Sequence, residues 1–178
     1  MGAEARLKEL GIVLPPQATP LANYVPGVRV GNLLYLSGHG PEREGRPTAR
    51  GKLGRDLSVE EGYAVAREVG LNLLGSARSL LGSLDRVERV VKVLGMVNSV
   101  DGFGAQPKVI NGFSDLMVEV FGDRGRHARS AVGMAELPMG IPVEIEMILE
   151  VQDGPVPGRK KGRAARRRSR TTRRKLRR

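Results

Sequence analysis

The chain has 178 residues and a hydrophobic fraction of 40%, enough for one domain with extensions around a packed core. It contains no cysteine and two histidines, which excludes disulfides, thiolate nucleophiles and conventional cysteine or histidine metal cages. The formal charge of +11 is concentrated in residues 159–178, which hold 13 of the 30 basic residues and no acid, so the body carries 17 basic against 19 acidic residues.

The first 21 residues are predicted to be a short helix followed by a proline-rich lead-in. Residues 4–10 place their apolar side chains on one side of a helix, and Leu14-Pro15-Pro16 cannot continue it. This start is mixed and charged, unlike a secretory signal. No apolar run approaches the roughly 20 residues that span a bilayer, so we expect a soluble, cytoplasmic protein without membrane contact.

Residues 22–153 are predicted to form one domain. Gly31-Asn32 is typical of the turn in a hairpin between two short strands. The charged, glycine- and proline-rich residues 41–57 follow the hairpin. Their composition favours a mobile loop.

Two helices and one strand are predicted after that loop. The capping box of Ser58 and Glu61 begins a long helix that ends at Gly82. Residues 87–97 are β-branched and almost continuously apolar, which is typical of a strand buried on both faces. Residues 109–121 have the clearest helical spacing of apolar side chains in the chain.

The last two strands carry the strongest candidates for chemistry. Arg129 opens the first, and strict alternation over 143–151 places Glu144 on the face opposite the apolar side chains. If these strands are neighbours, the arginine and the glutamate lie beside each other and favour a site for a small carboxylated molecule. The order of elements predicts an α+β fold: one sheet with two main helices on one face.

The residues resemble the RidA/YjgF family of reactive-intermediate deaminases, also labelled endoribonuclease L-PSP. The similarity is carried by Tyr24, Val28-Arg29-Val30-Gly31-Asn32, Leu36-Ser37-Gly38, Arg129-Ser130-x-Val132, Leu137-Pro138 and Val143-Glu144-Ile145-Glu146. This resemblance implies a chorismate-mutase-like fold with a mixed sheet, and a homotrimer with clefts between subunits. It also implies hydrolysis of 2-imino or 2-enamino acids to 2-keto acids and ammonia without a metal or cofactor.

The resemblance also assigns roles by position. Arg129 is expected to bind the substrate carboxylate, and Glu144 to place the hydrolytic water. The residues expected to bind substrate from the cleft wall are Tyr24, Ser37, Gly38, His39 and Asn111. The family's Ser-Gly-Gln turn becomes Ser37-Gly38-His39 here, which indicates a divergent branch.

Each candidate also has a plainer interpretation. The residues alone favour a solvated strand-end charge at Arg129 that pairs with an acid, and the spacing alone does not separate Glu144 from Glu146 and Glu150. A histidine in a turn, such as His39, is more often structural. His127 is interpreted as an ordinary loop residue.

Two other functions stay open. One is a trimer that binds a small carboxylate without turnover. The other is RNA binding through Arg159–Arg178, which lie in the basic tail of residues 154–178 that is predicted to be disordered. Its cations would give salt-sensitive, sequence-independent contact with nucleic acid, although the composition favours a solvated extension.

Overall fold

The computed structural model describes residues 2–17 and 23–154. Most of the predicted basic tail, and part of the lead-in, lie outside the described residues. The helices are α1 (Ala3–Glu9), α2 (Val59–Leu81) and α3 (Gln106–Phe121). The strands are β1 (Gly27–Val30), β2 (Leu33–His39), β3 (Glu42–Arg43), β4 (Arg46–Pro47), β5 (Val87–Asn98), β6 (Ala128–Met134) and β7 (Val143–Val151).

The ends of α2 are those that the sequence predicts. The Ser58 hydroxyl accepts a hydrogen bond from the Glu61 amide at 3.1 Å, and the Glu61 carboxylate accepts one from the Ser58 amide at 2.7 Å. Gly82 caps the other end with a φ of +81°, a backbone conformation that residues other than glycine rarely adopt. The capping prediction is confirmed.

The main sheet is mixed and has the order β1-β2-β7-β5-β6. All neighbouring strands are antiparallel except β5 and β6, which are parallel. The strands of Arg129 and Glu144 are therefore not neighbours, since β5 lies between β6 and β7. That part of the sequence prediction was wrong. The two strands are joined by the short segment of residues 135–142, and a short connection does not prevent another strand from pairing between them.

Helices α2 and α3 cover one face of this sheet, as predicted. The two helices pack closely against each other: a Cβ added at Gly112 of α3 would lie 2.0 Å from the Tyr63 carbonyl oxygen of α2. A Cβ added at Gly95 of β5 would meet the Ile110 side chain of α3 at 2.6 Å. The N-terminal helix α1 buries Leu7 in the same core, so it is part of the domain's packing.

The other face of the sheet is uncovered. Leu94 and Met96 of β5 are only half-buried there, although the sequence predicts burial on both faces. Exposed apolar side chains continue this face on the neighbouring strands, among them Val28, Tyr35 and Val132. We call it the open face; within one chain nothing among the described residues covers it.

The loop over residues 41–57 is more ordered than its composition predicts. It contains the small β3–β4 hairpin, and Leu53 is fully buried. The Lys52 ammonium donates to the buried Asn98 amide oxygen at 2.6 Å and to the Ala135 carbonyl at 2.7 Å. These contacts span long stretches of the chain, so local composition could not reveal them.

Candidate active site in two halves

The first half of the candidate site surrounds Arg129 on β6 and is called the arginine half-site. In the sheet register Arg129 pairs with the buried Val93, which places its side chain on the helix side. The guanidinium donates to the Asn111 amide oxygen at 3.0 Å and the Ser114 hydroxyl at 2.9 Å through Nη1. It also donates to the Pro107 carbonyl at 3.3 Å through Nη2. The structure thus brings together two predicted site residues, Arg129 and Asn111.

One edge of the Arg129 guanidinium is left open. Its three acceptors are neutral, and no carboxylate in the described part of the chain forms a salt bridge with it. Partial burial lowers the pKa of Arg129, which Asp115 opposes, and the group stays charged. Nη1 and Nη2 have these acceptors, whereas Nε–H has none among the described residues. Nε–H and Nη2–H are the pair of parallel donors with which an arginine binds a carboxylate through two hydrogen bonds.

The second half surrounds Glu144 on β7 and is called the glutamate half-site. Glu144 pairs with Met96 and therefore faces the open side of the sheet. A Cβ added at Gly38 would lie 2.1 Å from a Glu144 carboxylate oxygen, so the carboxylate lies directly over the glycine. Burial, and then the neighbouring Glu146, raises the pKa of Glu144 above its usual range. A carboxylate of this kind is suited to accept and return a proton.

A bulge in β2 presents Gly38 to Glu144. Leu36 pairs with Met147 and His39 pairs with Ile145, so Ser37 and Gly38 together stand opposite one residue of β7. The sequence predicts a turn after the hairpin strand, whereas in the structure β2 continues through His39. The bulge explains how a strand can still bring backbone close to a side chain on the open face.

Ser37 and Tyr24 lie at the same end of β2. The Ser37 hydroxyl donates to the Val25 carbonyl at 2.7 Å, which fixes the segment that carries the half-exposed Tyr24. Beside this end the open face has a depression of about 300 Å³, whose lining includes Tyr35, Ser37, Lys92 and Glu146. The space is large enough for a small carboxylic acid.

His39 is predicted to bind substrate, but its side chain lies in the interior, facing α2. Its Nδ1 is 2.7 Å from the Ser37 carbonyl, and its Nε2 is 2.8 Å from the Ser76 hydroxyl. A carbonyl can only accept, so Nδ1 carries the proton and Nε2 accepts from Ser76. The ring therefore cannot touch a ligand on the open face, and it acts on the glutamate half-site only by fixing the Ser37 backbone.

Replacing His39 by leucine is expected to lower the free energy of unfolding by about 2 kcal/mol, because the fully buried Ser76 hydroxyl loses its partner. Glutamine at this position should retain most of the stability, since it supplies both a donor and an acceptor. Urea unfolding at pH 7.5 measures the difference. Equal losses in the two variants would contradict the assigned hydrogen bonds.

The buried His39 also predicts that the free energy of unfolding depends on pH. Burial keeps the pKa of His39 below its usual 6.5, so the unfolded chain takes up a proton first as the pH falls. Stability is then complete above about pH 6.5 and is lost as the pH falls through the folded pKa. The His39→Gln variant should show a shallower loss. A residual slope is expected because burial also lowers the pKa of His127.

The two half-sites of one chain do not meet. Arg129 is on the helix side of the sheet, Glu144 is on the open side, and β5 separates their strands. The structure groups Arg129 with Asn111, and Glu144 with Gly38. A single site containing both charged residues therefore requires the arginine half-site of one subunit and the glutamate half-site of another.

Two residues of the arginine half-site, Ser114 and His127, were not predicted from the sequence. His127 is not an ordinary loop residue: its Nε2 is 3.1 Å from the Ser114 hydroxyl that accepts from Arg129. A signal was available, because Ser114 lies three positions after Asn111 and so shares its helix face.

Residues 2–17 and 23–154 contain no helix that is both long and apolar enough to cross a membrane. Within the same ranges no group of three or more His, Asp or Glu side chains is arranged to hold a metal ion.

Known proteins share this architecture. A family model described as "YjgF/chorismate_mutase-like, putative endoribonuclease" matches residues 4–147. Protein TCP17 of Trypanosoma cruzi is 45% identical over 150 residues, which cover 84% of this chain and 94% of that protein. The crystal structure of Atu1372 from Agrobacterium tumefaciens matches with a TM-score of 0.78 at 45% identity, over 84% of this chain and 92% of its own.

A structure from Shewanella oneidensis, also described as a "putative endoribonuclease", matches with a TM-score of 0.81 at 33% identity, over 85% of this chain and 100% of its own. Fold, sequence motifs and relatives thus agree along most of the chain. The chain belongs to the RidA/YjgF family and has its chorismate-mutase-like α+β fold with a mixed sheet.

Proposed function

We propose that this protein hydrolyses reactive 2-imino or 2-enamino acids to 2-keto acids and ammonia, in clefts between the subunits of a homotrimer. The observation that carries the proposal is the open Nε/Nη2 edge of Arg129. A charged guanidinium held by three neutral acceptors, without a salt bridge to a described residue, is prepared for an external carboxylate. Family membership supports the same reading.

Imine hydrolysis needs a group that binds the substrate carboxylate, a positioned water molecule and a group that transfers a proton. Arg129 holds the substrate carboxylate, which fixes the C=N carbon beside the glutamate half-site. Glu144 takes a proton from water as the water oxygen bonds to the carbon of the protonated imine and the C=N bond becomes a single bond. Glu144 returns that proton to the nitrogen. The C–N bond then breaks and the C=O bond forms, while Glu144 takes the remaining hydroxyl proton and passes it to the departing ammonia, which leaves as ammonium. No cofactor is required, because a protonated imine is already electrophilic.

The open face supports assembly. It exposes apolar side chains, and β6 is an edge strand whose outer backbone has no partner in the sheet. A rotationally symmetric trimer repeats one contact between unlike surfaces, so each cleft receives the arginine half-site of one subunit and the glutamate half-site of the next.

The proposed location is the cytoplasm, as the sequence predicts.

Ammonia release from 2-iminopropanoate, formed in place by an amino-acid oxidase, tests the activity. Wild-type protein should accelerate release well above the spontaneous rate, with 2-oxopropanoate formed in equal amount. A Glu144→Gln variant that is folded and of the same oligomeric state is the matched control. No acceleration by correctly assembled wild-type protein would sink the proposal.

The second candidate is a trimer that binds a small carboxylate without turning it over. The same open edge of Arg129 favours it, because that edge explains binding but not hydrolysis. This candidate predicts saturable 2-keto-acid binding that is lost in Arg129→Ala, with no ammonia release by wild-type protein. The two candidates are therefore separated by product formation alone.

A further inference from the structure

The arginine half-site has a second layer formed by Ser114 and His127. The Ser114 hydroxyl accepts from Arg129 Nη1 at 2.9 Å and lies 3.1 Å from His127 Nε2. His127 Nδ1 is in turn 2.6 Å from the Gly125 carbonyl. These contacts form a continuous chain from backbone to guanidinium, and neither Ser114 nor His127 takes part in the reaction steps proposed above.

The direction of each hydrogen bond in this chain is fixed. The Gly125 carbonyl can only accept, so His127 Nδ1 carries a proton, and in the neutral ring Nε2 must accept. The Ser114 hydrogen therefore points to His127, which leaves its lone pairs for Arg129. Burial lowers the pKa of His127, and the nearby positive charge of Arg129 acts in the same direction. Both effects favour the neutral ring.

The His127 ring is also held in place sterically. It packs edge to face with the Phe113 ring, with centroids 6.0 Å apart and planes at 73°. Gly125 lies so close to α3 that an added Cβ would be 2.1 Å from the Met117 carbonyl oxygen. The acceptor for Nδ1 is therefore fixed by backbone packing, and its position is transmitted through the ring to Ser114.

We propose that Ser114 and His127 are positioning residues that orient the Arg129 guanidinium, so that its open edge meets the ligand carboxylate. This rests on the proposed role of Arg129 as the carboxylate-binding group. Asn111 and Ser114 both lie on α3 and both accept from Nη1, so the pair helps to hold the end of the guanidinium opposite Nε–H, which has no acceptor among the described residues. Without the pair, only Asn111 and the Pro107 carbonyl hold the guanidinium, so its orientation is less restricted and the two parallel bonds to a carboxylate weaken.

Calorimetric binding of 2-oxobutanoate and of its neutral amide, 2-oxobutanamide, to the full-length chain tests the pair. Ser114→Ala and His127→Phe should weaken 2-oxobutanoate binding about fivefold and leave the amide unchanged. His127→Gln, which keeps an acceptor near the Nε2 position, should stay within about twofold of wild type. The control Tyr63→Phe removes another hydrogen bond to α3, onto Asp115, and should change neither ligand.

Parallel losses for the acid and the amide would indicate a merely structural role and overturn the inference, as would unchanged binding of both. If wild-type protein binds no 2-keto acid and the proposed function fails, a second measurement still tests the Ser114–His127 pair. ¹⁵N NMR of the free protein should show His127 protonated at Nδ1, and Arg129 Nη1 protons that exchange faster in Ser114→Ala. The opposite tautomer, or unchanged exchange, would overturn the pair independently of any ligand.

Discussion

Replacing Arg129 by alanine is expected to lower kcat/KM for 2-iminopropanoate by at least about a hundredfold, because two charge-assisted hydrogen bonds to the substrate carboxylate are lost together. The effect should appear mainly as a raised KM if the carboxylate is held equally in substrate and transition state. Stability should change little, since the side chain is only partly buried and its partners can bond to water.

Arg129→Lys is the informative companion variant. Lysine keeps the charge but cannot present two parallel donors, so it should recover only part of the activity, on the order of tenfold above alanine. Full recovery would show that charge alone is enough. Activity of Arg129→Ala within a factor of two of wild type would remove Arg129 from the site.

Gly38→Ala should have the second-largest effect, because the new methyl group takes the place of the Glu144 carboxylate. An added Cβ would be 2.1 Å from the carboxylate oxygen, so the carboxylate must move by about an ångström. Misplacement on this scale can reduce a reaction about a hundredfold. The far end of a flexible side chain moves easily, so the free energy of unfolding should fall by no more than about 1 kcal/mol.

The matched comparison is Gly112→Ala, where the added Cβ would meet the Tyr63 carbonyl oxygen at 2.0 Å. Backbone cannot move aside between two packed helices, so this variant should lose more than about 3 kcal/mol of stability. Steady-state kinetics and urea unfolding of both variants show whether each substitution lowers activity or stability. Similar behaviour of both variants would contradict the close approach of Glu144 to Gly38.

The parts of this fold that sequence predicts are those with local causes. The capping box at Ser58 and the cap at Gly82 determine α2, and alternation from Val143 to Val151 determines which face of β7 is buried. Glu144 is thus placed on the open face by local pattern alone. The bulge that brings Gly38 under it depends on pairing with β7, so it could not be read from β2.

The parts that sequence does not predict depend on distant contacts. The insertion of β5 between the strands of Arg129 and Glu144 follows from pairing across the whole domain. The apolar run of β5 predicts burial on both faces, whereas one chain covers only the face toward α3. In the proposed trimer the neighbouring subunit covers the other face of β5. Assembly would then explain both why β5 is apolar on its two faces and why Arg129 and Glu144 do not meet within one chain.

Subunit complementation tests the central claim most directly. Arg129→Ala and Glu144→Gln, each inactive alone, are unfolded, mixed in equal amounts and refolded, with tagged subunits used to verify mixed trimers. If each cleft takes its arginine from one subunit and its glutamate from the neighbour, random mixing restores about a quarter of the clefts and a similar share of wild-type ammonia release. Mixed trimers as inactive as either parent would contradict the account.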